Sequence, residues 1–315
     1  VGLRPSPGLI ANDMRPLGWS AISVLGPMGR DVADTAFMMQ ASVGPHPMDP
    51  LSLGVQHEPF WPVQPADLRQ LRVAYTEDFG ACAVDPMIRR AFRERVQSLS
   101  REVAVCEPLQ WDLSDGHRCF DVIRAESFFA AFEEVYRTQP ETLGPNVRAN
   151  VEMAASIQLA DRAWAHLTQT RINRQFQAAF EKCDLILAPV TPLSPFPWTE
   201  LYAEVVDGKK QRNYYEWLSL TYMVTLATNP ALSLPCGKDE AGMPFGLQMI
   251  GPLHQDARLL GMASALEQWG QGQTLWERPR PDMSALATPR PDLKSIVTHP
   301  PLLSGGAAVD TRTAV

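Results

Sequence analysis

The sequence predicts an α/β protein built on one mixed, mostly parallel twisted sheet with helices on both faces. Three observations carry that expectation. "LRVAYTED", "VDPMIRRAFRERVQSL" and "VAVCEPL" follow one another as strand, helix and strand, the unit from which parallel sheets are made. "DLILAPV" is a continuous apolar run, the pattern of a strand buried on both faces. "NPALSLPCG" and "FGLQMIG" read as two more strands joined through "KDEAGMP", and the helix "DARLLGMASALEQ" follows them.

Each element has a local reason. In "GPMGRDVADTAFMMQASVG" Val32, Ala36, Met39 and Val43 recur at helical spacing, Pro27 suits a first turn, and Gly44 supplies a stop. A Pro-rich linker at 59–65 leads to the strand at 71–76, where Leu71, Val73 and Tyr75 alternate. Asp85 and Pro86 mark the next helix start, and Ile88, Phe92, Val96 and Leu99 are its apolar face. Stretches 120–138 and 145–182 have little Gly or Pro and are expected to be helical. Strands are expected at 184–190, 230–235 and 245–250, all in the same sheet as 71–76. Leu259, Leu260, Ala263 and Leu266 lie on one face of the last long helix. Residues 1–281 are expected to form one α/β domain, and 282–315, where the apolar periodicity stops, a disordered tail.

Composition narrows the function. The 315 residues carry 28 basic and 35 acidic side chains, a net charge of −7. That balance argues against a nucleic-acid binder that tracks phosphates. The uncharged stretch from Trp217 to Gly237 is long enough to span a bilayer, but Asn229, Pro230 and Pro235 would strand backbone groups in lipid. A buried helix turning into a buried strand is the better reading, and no membrane association is expected. Five Cys without a CxxC pair read as reduced thiols, so the expected location is the cytoplasm.

The chemistry is not visible as a motif. The sequence has no GxSxG elbow, no SxxK, no HExxH and no Walker loop. The six His are dispersed, without a metal-type partner at i+3 or i+4, and no metal or cofactor is expected. Glu133, Glu134 and Asp34 read as solvated helix charges, and Asp13 as a turn residue.

The order of segments nevertheless resembles one family. "VGLRPSPG", "SVLGPMGRDVADTAFMMQASVG", "DLILAPVTPLSP", "TYMVTLATNPALSLPCG" and "GMPFGLQMIGPLHQDARLLGMASALE" are similar, in that order, to the downstream part of amidase signature enzymes, from Val1 to about Trp269. The resemblance implies an incomplete amidase signature fold. It also implies hydrolysis of a carboxamide C–N bond through a seryl acyl-enzyme. In that family "VGLRPSPG" follows the Gly- and Ser-rich loop that carries the nucleophilic Ser, a second Ser in a cis peptide bond and the oxyanion amides, with a Lys base further upstream. Those groups would precede Val1. No catalytic residue is therefore expected within this chain, which alone is expected to be inactive. It would expose apolar surface and a strand edge that the upstream part covers.

Candidate substrate-binding residues are Trp19 and Ser20, just after the catalytic segment, and Tyr222, in the segment that approaches the site in relatives. Ordinary packing is the competing reading of each. The implied partner is a small-molecule amide, with a homodimer as a further expectation. Two departures weigh against a strict glutamine amidotransferase subunit: Thr225 and Thr228 stand where the family often has Asn and Gly in "P-F-N-x-T-G-N-P-A", and Ser23 where some members have Asp. The alternative to an amidase portion is a naturally truncated, non-catalytic binding or scaffold chain.

Overall fold

In the computed structural model, which describes residues 1–52, 57–197 and 200–289, the sheet follows from where apolar runs meet turn residues. Val1 opens the short strand β1 (Gly2–Arg4), and the loop through Met28 folds back beside it, Leu3 donating its amide to the Pro27 carbonyl at 3.0 Å. Helix α1 (Val32–Ser42) begins later than Pro27 suggests. Its N-cap is Asp31, whose carboxylate accepts the Asp34 amide at 2.7 Å, and a side-chain cap fixes a helix start more firmly than a Pro upstream of it.

Strand β2 (Arg72–Tyr75) leads to α2 (Pro86–Leu99), which is capped by Asp85 with Pro86 as its first residue, as the sequence predicts. Ile88, Phe92, Val96 and Leu99 are buried on its inner face. Strand β3 (Val105–Pro108) completes the strand–helix–strand unit. Three helices follow: α3 (Asp115–Thr138), α4 (Pro145–Ala155) and α5 (Leu159–Phe180). The stretch expected as one helical region over 145–182 is thus broken. The break is a capping box in which Gln158 and Asp161 satisfy each other's end of a new helix.

Strand β4 (Leu185–Pro189) is the buried apolar run, and β5 (Val205–Val206) and β6 (Lys209–Lys210) form a small separate hairpin. Helix α6 (Ser219–Ala227) passes into β7 (Ala231–Lys238), so the uncharged stretch is a helix and a strand in the core. The chain then runs through β8 (Pro244–Ile250) and α7 (Asp256–Gly270). No helix among the described residues is long and apolar enough to cross a membrane.

The main sheet has the order β1-β7-β8-β4-β2-β3. All four expected strand runs lie in it. Its parallel part is smaller than predicted: β4 pairs in parallel with β2, and β2 with β3, whereas β1–β7, β7–β8 and β8–β4 are antiparallel. A helical crossover enforces parallel pairing in one half, and the short turn at Gly242 (φ +77°) enforces a hairpin in the other. Helices cover both faces, and Leu185 to Ala188 of β4 are buried without exposure. At the β1 edge, Met28, Phe37 and Met38 are exposed and wall a shallow depression.

The chain divides into two units, Val1–Arg278 and the segment from Pro279. In the second, Met283–Ala287 form a short helix, α8, capped by Asp282. The rest of the expected tail, from residue 290, lies outside the described residues.

Candidate functional site

Helix α3 carries a stripe of His117, Phe120, Arg124, Ser127 and Phe128, spaced so that they share one face. Across from it lies the segment that leads into α6. Phe120, Arg124, Ser127 and Phe128 close a cavity of about 440 Å³ with Arg4, Ile22, Ser23, Val24 and Thr225. The cavity thus joins three places distant in sequence: β1, the loop before α1, and the α3–α6 pair.

Its walls are held by a polar network. Asp121, one position beyond Phe120, accepts the Tyr215 hydroxyl at 2.8 Å and the Arg212 guanidinium at 2.9 Å. Arg212 also donates from Nε to Glu216 at 2.7 Å and from its backbone amide to the same carboxylate. Burial opposes charge on Glu216, but the bonds from Arg212 overcome it and hold the carboxyl below its ordinary range. Burial, aided by the Asp121 charge, raises the Tyr215 phenol. The Tyr214 hydroxyl accepts from Arg124 Nη2 at 2.6 Å and from Asn150 Nδ2 at 2.9 Å.

None of the three expected binding residues lines this cavity. Trp19 is 80% exposed, and Ser20 is half-buried with its amide bonded to Leu17 O. The lining positions of that loop are Ile22, Ser23 and Val24. Tyr222 is buried, and its ring stacks flat on Phe120 with centroids 4.3 Å apart. Its hydroxyl meets His117 Nδ1 at 2.5 Å, while His117 Nε2 lies 3.2 Å from Ala81 O. A carbonyl only accepts, so Nε2 carries the proton and Nδ1 takes the phenol's. Burial pushes the Tyr222 phenol up, which keeps it a donor. Tyr222 therefore backs the cavity through Phe120, and Thr225, three residues on, reaches it.

Sequence reading missed α3's share of the wall. The available signal was Phe120, Arg124 and Phe128 at i, i+4 and i+8. The stripe's partners, Tyr214 and Tyr215, lie about ninety residues downstream, and nothing local announces them. Other readings stand: Asp34 pairs with Arg30 on the surface, and Glu133 with Arg137. All five Cys are free thiols, and burial pushes Cys82, Cys119 and Cys236 up to about 12. Among the described residues no group of three or more His, Cys, Asp or Glu side chains is placed to hold a metal ion.

The family model described as Amidase matches residues 1–260. The chain belongs to the amidase family. Among curated proteins it is 29% identical over 309 residues to a glutamyl-tRNA(Gln) amidotransferase subunit of Acaryochloris marina, covering 90% of this chain and 62% of that protein. It is 28% identical over 290 residues to the equivalent amidotransferase subunit of Synechococcus elongatus, covering 85% and 59%. The chain thus spans about three fifths of the length of these family members. Among solved structures, a bacterial aryl acylamidase of the amidase signature family superposes with a TM-score of 0.75 at 20% identity, over 88% of this chain and 60% of that one. A 6-aminohexanoate cyclic dimer hydrolase superposes with a TM-score of 0.71 at 20% identity, over 89% and 62%. At that identity the superpositions show a shared amidase signature fold, and C–N bond hydrolysis is the chemistry of the family.

Proposed function

We propose that this chain forms the substrate-pocket portion of an amidase that cleaves a carboxamide through a seryl acyl-enzyme. The Ser, cis-Ser and Lys machinery is contributed by residues outside 1–315, and the 315-residue chain alone turns over no amide. One observation carries this reading. The cavity draws its walls from three of the segments that resemble the family: Arg4 from "VGLRPSPG", Ser23 and Val24 from "SVLGPMG", and Thr225 from "TYMVTLATNPA". An amide is a poor electrophile, so hydrolysis needs an activated nucleophile and donors aimed at the developing oxyanion. The cavity residues supply the complementary need, a concave surface that fixes the substrate against that machinery.

Tyr222 supports the pocket through Phe120, and Trp19 and Ser20 flank the Ile22–Val24 wall, where a substrate's distal end would meet them. The substrate is a small-molecule amide. The aryl acylamidase neighbour supports including aryl amides, and Thr225, Thr228 and Ser23 support a substrate other than that of a strict glutamine amidotransferase. Five unpaired thiols support a cytoplasmic setting. A homodimer is part of the proposal and is read by analytical ultracentrifugation.

The test is a panel of aryl and aliphatic amides offered to the isolated chain and to the full-length gene product. Turnover is expected only from the latter, and is lost when the upstream Ser is replaced by Ala. Turnover by the isolated chain that disappears on substituting a residue within 1–315 overturns the proposal.

A further inference from the structure

Among the described residues the cavity wall contains two guanidinium groups, Arg4 and Arg124, and no carboxylate, in a chain whose net charge is −7. Their situations differ. Arg4 is committed to the protein, donating to the carbonyls of Asn229 at 3.2 Å and Ala21 at 3.3 Å. Burial lowers it to about 10, with Asp256 pulling the other way, so it stays charged at neutral pH. Arg124 is uncommitted. Among the described residues its sole hydrogen bond runs from Nη2 to the Tyr214 hydroxyl, and no Asp or Glu lies within ion-pairing distance of it. Its Nε is buried without a partner. Asp121, the nearest acid on its own helix face, is already occupied by Tyr215 and Arg212.

Aromatic rings hold Arg124 where it is. The guanidinium carbon lies 4.4 Å from the Phe128 centroid, 4.7 Å from Tyr215 and 5.6 Å from Tyr214. Ring faces attract a cation, but they do not satisfy N–H groups. A half-buried cation beside aromatic side chains, with donors to spare, is complemented by an anion that brings two acceptor oxygens. The remaining walls combine the apolar Phe120, Phe128, Ile22 and Val24 with the hydroxyls of Ser23, Ser127 and Thr225, and the apolar share favours an organic carboxylate over a compact, strongly hydrated phosphate.

We infer that the cavity selects amides that carry a carboxylate, and that Arg124 is the residue that determines this selectivity, with Arg4 adding positive potential behind it. The inference rests on reading the cavity as the substrate pocket, and it names the class of substrate that pocket takes.

The test is equilibrium binding to the 315-residue chain, followed by calorimetry at low ionic strength. The probes are 4-carbamoylbenzoate, its neutral isostere terephthalamide, benzoate and inorganic phosphate. The carboxylated amide is expected to bind at least tenfold more tightly than terephthalamide. Arg124→Met should bring the two within about twofold, and Arg124→Lys should restore part of the gap. Thr225→Asp, which places a carboxylate on the opposite wall and leaves Arg124 in position, should abolish the preference independently of any loss of packing around residue 124. Equal binding of the two amides, a preference that survives Arg124→Met, or phosphate competing as strongly as 4-carbamoylbenzoate would overturn the inference. Benzoate binding as tightly as 4-carbamoylbenzoate, still dependent on Arg124, would uphold the carboxylate site while counting against the amide reading of the pocket.

Discussion

Strand β4 buries Leu185, Ile186, Leu187 and Ala188 completely, with no side-chain polar atom among them. The layer formed by α3, α6 and the segment before α6 also buries apolar side chains such as Val122, Ile123, Leu220 and Met223, but it adds the buried Tyr215, whose hydroxyl donates to the half-buried Asp121, itself also bonded to the more exposed Arg212. The first region is held by apolar area, which is non-directional and tolerates small displacements. The second adds to its apolar area hydrogen bonds whose partners must all be present, because an unpaired buried group costs more than a paired one contributes. A cavity that must present one cation in a fixed place is better built from the second kind of material. The sheet needs only to be a rigid base for it.

Three measurements break or sharpen that contrast. Leu187→Ala should give the largest loss, about 3 kcal/mol in urea unfolding, since a fully buried Leu leaves a cavity that the flanking strands cannot fill. It should act on stability without altering ligand selectivity in the cavity. Asp121→Ala should cost about 2 kcal/mol, because it strands the buried Tyr215 hydroxyl as well as removing the Arg212 pair. Tyr215→Phe alone should cost about 1 kcal/mol, and the double variant clearly less than the two summed. Strict additivity in that cycle would show that the network is not cooperative, and the contrast with the sheet would fail.

The smallest expected effect lies at the join between the regions. Thr228 ends α6 with φ +62°, a left-handed conformation that is costly for a β-branched residue. Thr228→Gly should therefore stabilise the chain by about 0.5 kcal/mol, the relief of strain exceeding the added freedom of the unfolded chain. A loss of stability would mean that the Thr228 hydroxyl, 3.5 Å from Asn173 Nδ2, matters more than the backbone.

The backbone plan was legible because its signals are local. Asp85 followed by Pro86, the run at 184–190 and the periodicity of 259–266 each specify an element within a few residues. The helix break at 156–158 and the late start of α1 were harder to read, since side-chain caps compete there with an uninterrupted composition. The candidate site was legible only by segment. The loop after the first strand and the "TYMVTLATNPA" helix do reach the cavity, but through Ile22, Ser23, Val24 and Thr225 rather than Trp19, Ser20 or the hydroxyl of Tyr222.

What the sequence determined by itself is the α/β class, the order of its elements and its resemblance to the amidase family, because apolar periodicity, caps and turn residues act over short stretches of chain. Tertiary structure alone decided that, among the described residues, Arg124 stands without a carboxylate while Asp121, one turn away, is taken by two partners. Those partners are 94 and 91 residues away along the chain. A helix stripe in the sequence carries no information about which distant side chains will neutralise it, and that assignment is made only when the packed layers bring them within hydrogen-bonding distance.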